Sequence, residues 1–526
     1  MFDLDVVNLS RFQFAATVMY HFLFVPLTLG LSFLLAIMES VYVMTGRDIW
    51  RRMTVFWGAL FGINFALGVA TGVVMEFQFG MNWAYYSQYV GDIFGAPLAL
   101  EGLMAFFLEA TFVGLFFFGW DRLPKLGHLA VTWLVALGTN LSAIWILIAN
   151  GWMQNPVGAV FNPITMRMEM TDFAAVIFNP VAQAKFVHTV SAGYVMGAIF
   201  VMAVSAWYLS RGRHIGFAKR SMVVAASFGL ASALSVVVLG DESGYLTTEH
   251  QKMKIAAMEA MWETEPAPAS FNLFAIPDQA QQKNRFSIEI PYVMGIISTR
   301  SLTEPLLGIK DLVQRAKVRI KSGIVAYDAL QKVRANHGDA AARRVFDAHW
   351  RDLGYALLLK RFIQDVSKAT AENIDQAALS TVPQVTPLFW TFRIMVALGF
   401  YFILFFMAAF WLASTGRLQK YRRFLKVAIW SWPLPWIAIE CGWFVSEFGR
   451  QPWVIEGVLP TFYAASGLSV SDLLISLAIY FVLYTGLAIV GAKVMLQTIR
   501  TGPNDKPRAA RDPSIDNLNP APTAAP

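Results

Sequence analysis

The sequence predicts an all-α polytopic membrane protein, and three observations carry that expectation. Of 526 residues, 56% are hydrophobic and only 15% charged, with a mean hydropathy of +0.50; a soluble chain carries about a quarter charged residues. The apolar residues gather into stretches long enough to cross a bilayer, which takes about 20 residues of helix. Most short connections between these stretches carry clusters of Lys and Arg, while 81–93 carries neither, the asymmetry that orients membrane helices.

Nine transmembrane helices are expected, over 15–43, 54–80, 94–119, 127–150, 185–209, 220–243, 386–414, 424–447 and 470–497. Connection 44–53 carries Arg47, Arg51 and Arg52, and connection 120–126 carries Arg122 and Lys125. Connection 210–220 adds Arg211, Arg213, Lys219 and Arg220; connection 415–423 adds Arg417, Lys420, Arg422 and Arg423. The tail carries Arg500, Lys506, Arg508 and Arg511. With nine spans all of these fall on one side, whereas connection 81–93, "MNWAYYSQYVGDI", has no Lys or Arg. The positive-inside rule then predicts a periplasmic N-terminus and a cytoplasmic C-terminus.

The expected organisation is six helices in 1–243, a large external loop in 244–385, three helices in 386–500, and a disordered cytoplasmic tail in 501–526. The loop holds many Lys and Arg, which long loops carry across regardless of charge. Its stretch "GIKDLVQRAKVRIKSGIVAYDALQKVRANHG" has a helical pattern, so part of it is expected to fold. The tail is rich in Pro, Ala and Asn. The acidic start "MFDLDVVNLSRFQF" reads as no removable signal peptide.

Composition excludes several functions. Cys441 is the only cysteine, which excludes an internal disulfide, a cysteine-ligated iron–sulfur cluster and a CxxCH haem attachment. Any metal must be held by His, Met, Glu or Asp. The net charge of +7 is ordinary membrane bias, so no nucleic-acid partner is expected; membrane lipid is.

Polar side chains inside the spans are expensive and mark function. His128, His214, His250, His337 and His349 fall in connections or the loop and are expected to be solvated or locally bonded. His21 and His188 fall inside spans. Glu101 and Glu109 are eight residues apart, so about 12 Å along a helix and within about 80° of each other, as two stations on one polar track would be. Lys185 and His188 share a face at i, i+3. Arg393 and Met395 open the seventh span. In "ECGWFVSEFGRQPW" the eighth span ends with Glu440, Glu447 and Arg450 interleaved with Trp443 and Trp453.

Depth joins these outliers: on this topology His21, Glu101, Lys185, His188, Arg393, Met395 and Glu447 all lie within about two turns of the outer end of their spans. His, Met and Glu ligate iron, while Arg and Lys suit propionates. The set reads as one or more haems near the outer face. The rival class is an ion-coupled transporter with Glu101 and Glu109 as coupling sites, but the sequence shows no internal repeat. A second rival is a haem-b electron carrier that never touches oxygen.

The stretches "GDIFGAPLALEGLMAFFLEATFVGLFFFGWDRLP", "TNLSAIWILIANGWMQNPVG", "AKFVH", "KMKIAAMEAMWETE" and "SEFGRQPW" together resemble subunit I of the bacterial cytochrome bd quinol oxidases, over all nine spans. The resemblance implies three haems: a low-spin haem b, a high-spin haem b and a haem d. His188 and Met395 match the axial ligands of the low-spin haem b. His21 and Glu447 match those of the high-spin pair, with His21 assigned to haem d and Glu447 to the high-spin b. Glu101 matches a carboxylate beside that pair and Glu109 a proton-path residue. Arg393 matches a residue stabilising the low-spin haem, and Trp443 an aromatic between haems. Lys254 and Glu259 match a quinol-oxidising pair in the loop; without the resemblance they read as a plain surface pair. Lys185, Arg450 and Gln451 suit propionates or the membrane-facing loop, with Pro452 fixing the turn and Trp453 in the interfacial belt.

The implied activity is a terminal respiratory oxidase of the bacterial inner membrane. Quinol is oxidised at the periplasmic side and oxygen is reduced to water with cytoplasmic protons, making turnover electrogenic without a pump. Asp121, Glu109, Ser142 and Glu101 would serve one proton path. The implied partners are a subunit II and a very small single-span subunit. The long loop favours haem d.

Overall fold

The computed structural model describes residues 5–503; the end of the tail expected to be disordered lies outside them. The chain opens with α1 (Val6–His21) and α2 (Val25–Thr45), one apolar run broken at Phe22–Phe24. Pro26 explains the break: it has no N–H to give the Phe22 carbonyl and its ring would collide with that carbonyl. Next come α3 (Asp48–Met81), α4 (Gly91–Phe118) and α5 (Lys125–Gln154). Within α4, Glu101–Phe106 is a π-helical turn. A small hairpin, β1 (Ala159–Asn162) and β2 (Arg167–Met170), leads to α6 (Pro180–Ser210) and α7 (Ile215–His250).

The large loop is folded. It contains α8 (Lys252–Met258), the antiparallel hairpin β3 (Phe271–Asp278) and β4 (Lys283–Ile290), and α9 (Ile309–Ala335). Its core includes Ile320, Ala356, Leu359, Val366 and Ala377, all fully buried, and it continues into Leu388 and Phe389 of the next membrane helix, α10 (Val385–Ser414).

Then come α11 (Arg422–Trp430) and α12 (Leu434–Phe448). The strands β5 (Trp453–Ile455) and β6 (Leu459–Pro460) form a tight hairpin before α13 (Val470–Thr501).

Among the described residues, eight helical runs are long and apolar enough to cross a membrane, against the nine expected. The missing one is 424–447. Pro433 and Pro435 break it into α11 and α12, neither of which is long enough alone. Both halves still pack within the bundle, α11 against α6 and α12 against α6 and α10.

The bundle centres on α6, whose midsection from Val195 to Ala206 is almost wholly buried. Its Gly193-x-x-x-Gly197 stripe meets Gly30 of α2 so closely that a Cβ on Gly30 would lie 2.4 Å from the Gly193 carbonyl oxygen. Small residues permit such backbone contact between membrane helices.

Two sequence expectations are overturned. His128 is buried, not solvated: its Nδ1 lies 2.6 Å from Glu39, its Nε2 lies 3.0 Å from the Phe116 carbonyl, and Thr132 donates to Glu39 at 2.5 Å. The basic connection ends before His128, which is already one turn inside α5. Trp453 is 3% exposed, not interfacial, with its ring 5.0 Å from that of Tyr355. The β5–β6 hairpin folds it into the loop's core.

Candidate functional site

The helices α6, α7, α10 and α12 form a ring in which each packs on the next, with α6 and α10 on opposite corners. His188 projects from α6 and Met395 from α10. The His188 ring presses on Gly240 of α7, with Cε1 3.1 Å from where a Cβ would stand. The Met395 sulfur lies 3.2 Å from the corresponding point on Gly442 of α12. Among the described residues the buried His188 Nδ1 makes no hydrogen bond of normal geometry, although the ring approaches the Val236 backbone of α7. Two ligand-type side chains on opposite corners, each against a residue with no side chain, suit a flat macrocycle.

His21 ends α1 at the chain break. Its Nδ1 bonds Thr71 Oγ1 at 2.8 Å and its ring lies over Gly72 of α3. Tying one ring nitrogen fixes the orientation of the other for a metal. Trp443 stands edge-on to Phe22, ring centres 5.2 Å apart, with its Nε1 buried and without a partner among the described residues. α12 thereby touches the residue next to His21.

Helix rise sets the depth. At 1.5 Å per residue, His188 is about 12 Å below the start of α6 and Met395 about 15 Å below that of α10. Gly72 is about 14 Å from the end of α3, and Glu101 about 15 Å below the start of α4. Each of the four therefore lies about 12–15 Å from the loop-end terminus of its own helix. They sit deeper than two turns because the helices extend several residues beyond the apolar stretches.

Above this level lies a polar network. Glu447 Oε1 accepts from Asn150 at 3.1 Å, Gln154 at 3.0 Å and Ser446 at 3.0 Å, and Oε2 pairs with Arg450. Lys185 donates to Asn150 at 3.2 Å and Ser446 at 2.5 Å. Arg450 also donates to the Val454 carbonyl, which anchors the β5–β6 hairpin to α12. Lys254 Nζ donates to Gln154 at 2.5 Å and Gln251 at 2.8 Å. Burial, then the charge of Lys185, hold the Lys254 ammonium well below its ordinary range.

Lys254 and Glu259 do not face each other. Glu259 is 2% exposed and pairs with Arg393, Nη2 to Oε2 at 2.6 Å. Arg393 also donates to the Asn272 carbonyl through Nε at 3.0 Å and lies over the rings of Phe389 and Phe271. Burial raises the Glu259 carboxyl and Arg393 opposes it. The pair ties the loop to α10 two residues from Met395.

Glu101 accepts from Ser142 of α5 at 2.7 Å. Glu109 is buried against Gly138, one turn away on the same helix. Both carboxylates therefore face α5. Asp121 lies at the exposed basic end, between α4 and α5.

The sequence assigns Glu440 no role, yet both its carboxyl oxygens are buried and without a hydrogen-bond partner among the described residues. The signal was available: Glu440, Trp443 and Glu447 recur at i, i+3 and i+7. The amides Asn150, Gln154 and Gln251 and the carboxylate Glu456 were missed.

Among the described residues no three or more His, Cys, Asp or Glu gather as a metal cluster would require. The glycines that face His188 and Met395 leave room for a planar group between the two side chains, so these residues fit haem.

The fold defines a polytopic integral-membrane protein with buried His, Met and carboxylate side chains toward one end of its bundle. The comparisons make this specific: the chain belongs to the cytochrome bd terminal oxidase subunit I family, whose profile matches residues 9–503. It is 54% identical over 500 residues to cytochrome bd-II ubiquinol oxidase subunit 1 of Escherichia coli (strain K12), spanning 95% of this chain and 97% of that relative. It is 36% identical over 493 residues to cytochrome bd ubiquinol oxidase subunit 1 of Bacillus subtilis (strain 168), spanning 94% and 92%. The solved bd oxidase from Geobacillus thermodenitrificans shares the fold, with a TM-score of 0.76 over 96% of this chain and all of that one, at 24% identity.

Proposed function

We propose that this chain is the haem-bearing, quinol-oxidising subunit of a bacterial terminal oxidase that reduces oxygen to water. The observation that carries the reading is the hydrogen-bonded run from Lys254, on the wall of an open cleft at the loop end, through Gln154 to Glu447 beside the level of His21, His188 and Met395. It puts a substrate-sized opening next to ligand positions inside the bundle.

In this reading His188 and Met395 hold a low-spin haem b, His21 a haem d and Glu447 a high-spin haem b. Bound haem supplies one-electron transfer and an open iron position for oxygen. Arg393, Lys185 and Arg450 offset negative charge around these positions. Holding a ligand would require Glu447 to exchange its Arg450 contact for iron, which frees Arg450 for a propionate. Lys254 orients a quinol oxygen in the cleft. Glu259, behind the cleft, positions Arg393 and through it the α10 segment that carries Met395.

Glu101 and Glu109 carry protons along α5 by way of Ser142, entering near Asp121. The basic end faces the cytoplasm and the loop end the periplasm of the inner membrane. Protons are thus consumed from one side and released on the other, without a pump. The exposed apolar faces of α4 and α13, with Leu103, Phe107, Phe481 and Val482 outward, suit lipid, a subunit II and a very small single-span subunit.

The purified complex tests this reading. A red-shifted chlorin band that responds to carbon monoxide, beside low- and high-spin b bands, is the expected spectrum; b bands alone would make the chain an electron carrier. In Glu259→Gln, quinol-driven oxygen uptake falls while an artificial donor that reduces the haems directly still supports it. Equal loss with both donors would take Glu259 out of the quinol half-reaction.

A further inference from the structure

We propose that Glu456 is the carboxylate that accepts the proton when a quinol O–H bond breaks in the cleft, with Gln251 and Lys254 holding it in place. This rests on reading the cleft as the quinol site. The cleft has a volume of about 760 Å³ and is walled by the end of α5, by α8, by α9 and by the β5–β6 hairpin. Small-molecule sites run from about 300 to 1,000 Å³.

Glu456 sits at the hairpin tip, and the fold fixes it there. Its backbone N–H donates to the Met153 carbonyl at 2.9 Å, and Gly457 takes φ +68°, which closes the turn. Gln251 Nε2 donates to Glu456 Oε2 at 3.1 Å, while the other end of the same amide accepts from Lys254 at 2.8 Å. No protein donor reaches Oε1 among the described residues. One oxygen is anchored and the other is left for substrate or water.

Glu259 and Glu456 are the two loop-end carboxylates that could serve as the base, and their surroundings differ. Glu259 is engaged by Arg393 through both oxygens and does not line the cleft. Glu456 does line it. The charged and titratable groups facing Glu456 are Lys254, Arg450 and Arg319, with the Tyr355 phenol beyond. Burial raises the Glu456 carboxyl, and the three cations pull it back. A carboxylate raised in this way takes up and returns a proton nearer neutral pH than an exposed one does.

The step balances. A quinol O–H bond breaks, its proton goes to Glu456 Oε1 to give the neutral acid, and the electron leaves to the oxidase's own acceptors. The acid returns its proton to water in the cleft. The second O–H then follows the same route.

The test uses the whole oxidase complex with Glu456→Gln, Glu456→Asp and Lys254→Met, each checked for haem content by its visible spectrum. Oxygen uptake is driven by a short-chain quinol or by an artificial reductant of the haems. Glu456→Gln lowers quinol-driven kcat about a hundredfold with little change in KM, the scale of losing a general base. It also abolishes the fall in rate as pH drops through the carboxyl's range, while artificial-donor uptake is unchanged. Glu456→Asp recovers part of the rate and keeps the acid limb. An unchanged kcat and pH profile in Glu456→Gln overturns the proposal, as does equal loss with both donors. If Lys254→Met loses quinol-driven uptake and Glu456→Gln does not, the proton assignment alone fails. If both variants keep it, the cleft is not the quinol site. Loss of haem in Glu456→Gln moves the decision to Glu456→Asp, where an unshifted pH profile overturns the proposal.

Discussion

His188 shows how much one side chain can reveal. A histidine in an apolar span must find a partner, and among the described residues its Nδ1 makes no hydrogen bond of normal geometry, with the Val236 backbone near the ring. Replacing His188 with Ala is expected to remove the low-spin b band while helix content by circular dichroism stays unchanged; a surviving band would reassign the ligand. The Arg393–Glu259 pair makes a second prediction. Removing one member of a buried ion pair strands the other, at about 3–5 kcal/mol. Arg393→Leu is therefore expected to loosen the loop from α10, seen as faster limited proteolysis within 251–384. The double variant Arg393→Leu with Glu259→Leu recovers part of the loss. Wild-type protection in the single variant would contradict this. Single residues in spans were legible because apolar surroundings make polar side chains conspicuous. The loop pairing was not. Residues at i and i+5 on a helix point about 140° apart, so the sequence spacing of Lys254 and Glu259 revealed the partner of neither. The true partner of Glu259 is 134 residues away.

At the scale of an element, α4 departs most from its sequence pattern. The angle between Glu101 and Glu109 assumed a regular α-helix, yet the π turn starts at Glu101. A π turn behaves as one inserted residue and tends to occur at functional positions. Both carboxylates still face α5, at Ser142 and Gly138. Deleting Gly102 removes the inserted residue, so α4 should relax to regular helix with Glu101 and Glu109 still on the face toward α5. The expected result is retained quinol-driven oxygen uptake in the deletion, whereas Glu101→Gln lowers it about a hundredfold with the low-spin haem still reduced by substrate. Full turnover in Glu101→Gln would separate Glu101 from proton delivery. The break between α11 and α12 was also open to the sequence, through Pro433 and Pro435. Hydropathy alone joined the two halves, because apolar content does not register a missing N–H.

The whole molecule has two unlike ends, and the proposed energy conversion depends on which faces the cytoplasm. The connections between α2 and α3, α4 and α5, α6 and α7, and α10 and α11 carry the Lys and Arg clusters, while the connection from α3 to α4 carries none. Carrying one elementary charge across the membrane against 100 mV is worth about 2.3 kcal/mol. Protons drawn from the basic end to the level of Glu101 cross most of α5, so turnover contributes to the potential only if that end is cytoplasmic. Thiol labelling decides the orientation. Cys441 is the only cysteine, so Cys441→Ala gives a blank background. Gln88→Cys in the connection without Lys or Arg and Gln331→Cys on α9 place exposed thiols at the loop end; Gln419→Cys places one at the basic end. In intact cells a membrane-impermeant maleimide is expected to label the first two and to reach the third only after permeabilisation. The reverse pattern would invert the topology. Protons would then be consumed and released on the wrong sides, and oxygen reduction by this chain would dissipate the gradient it is proposed to build.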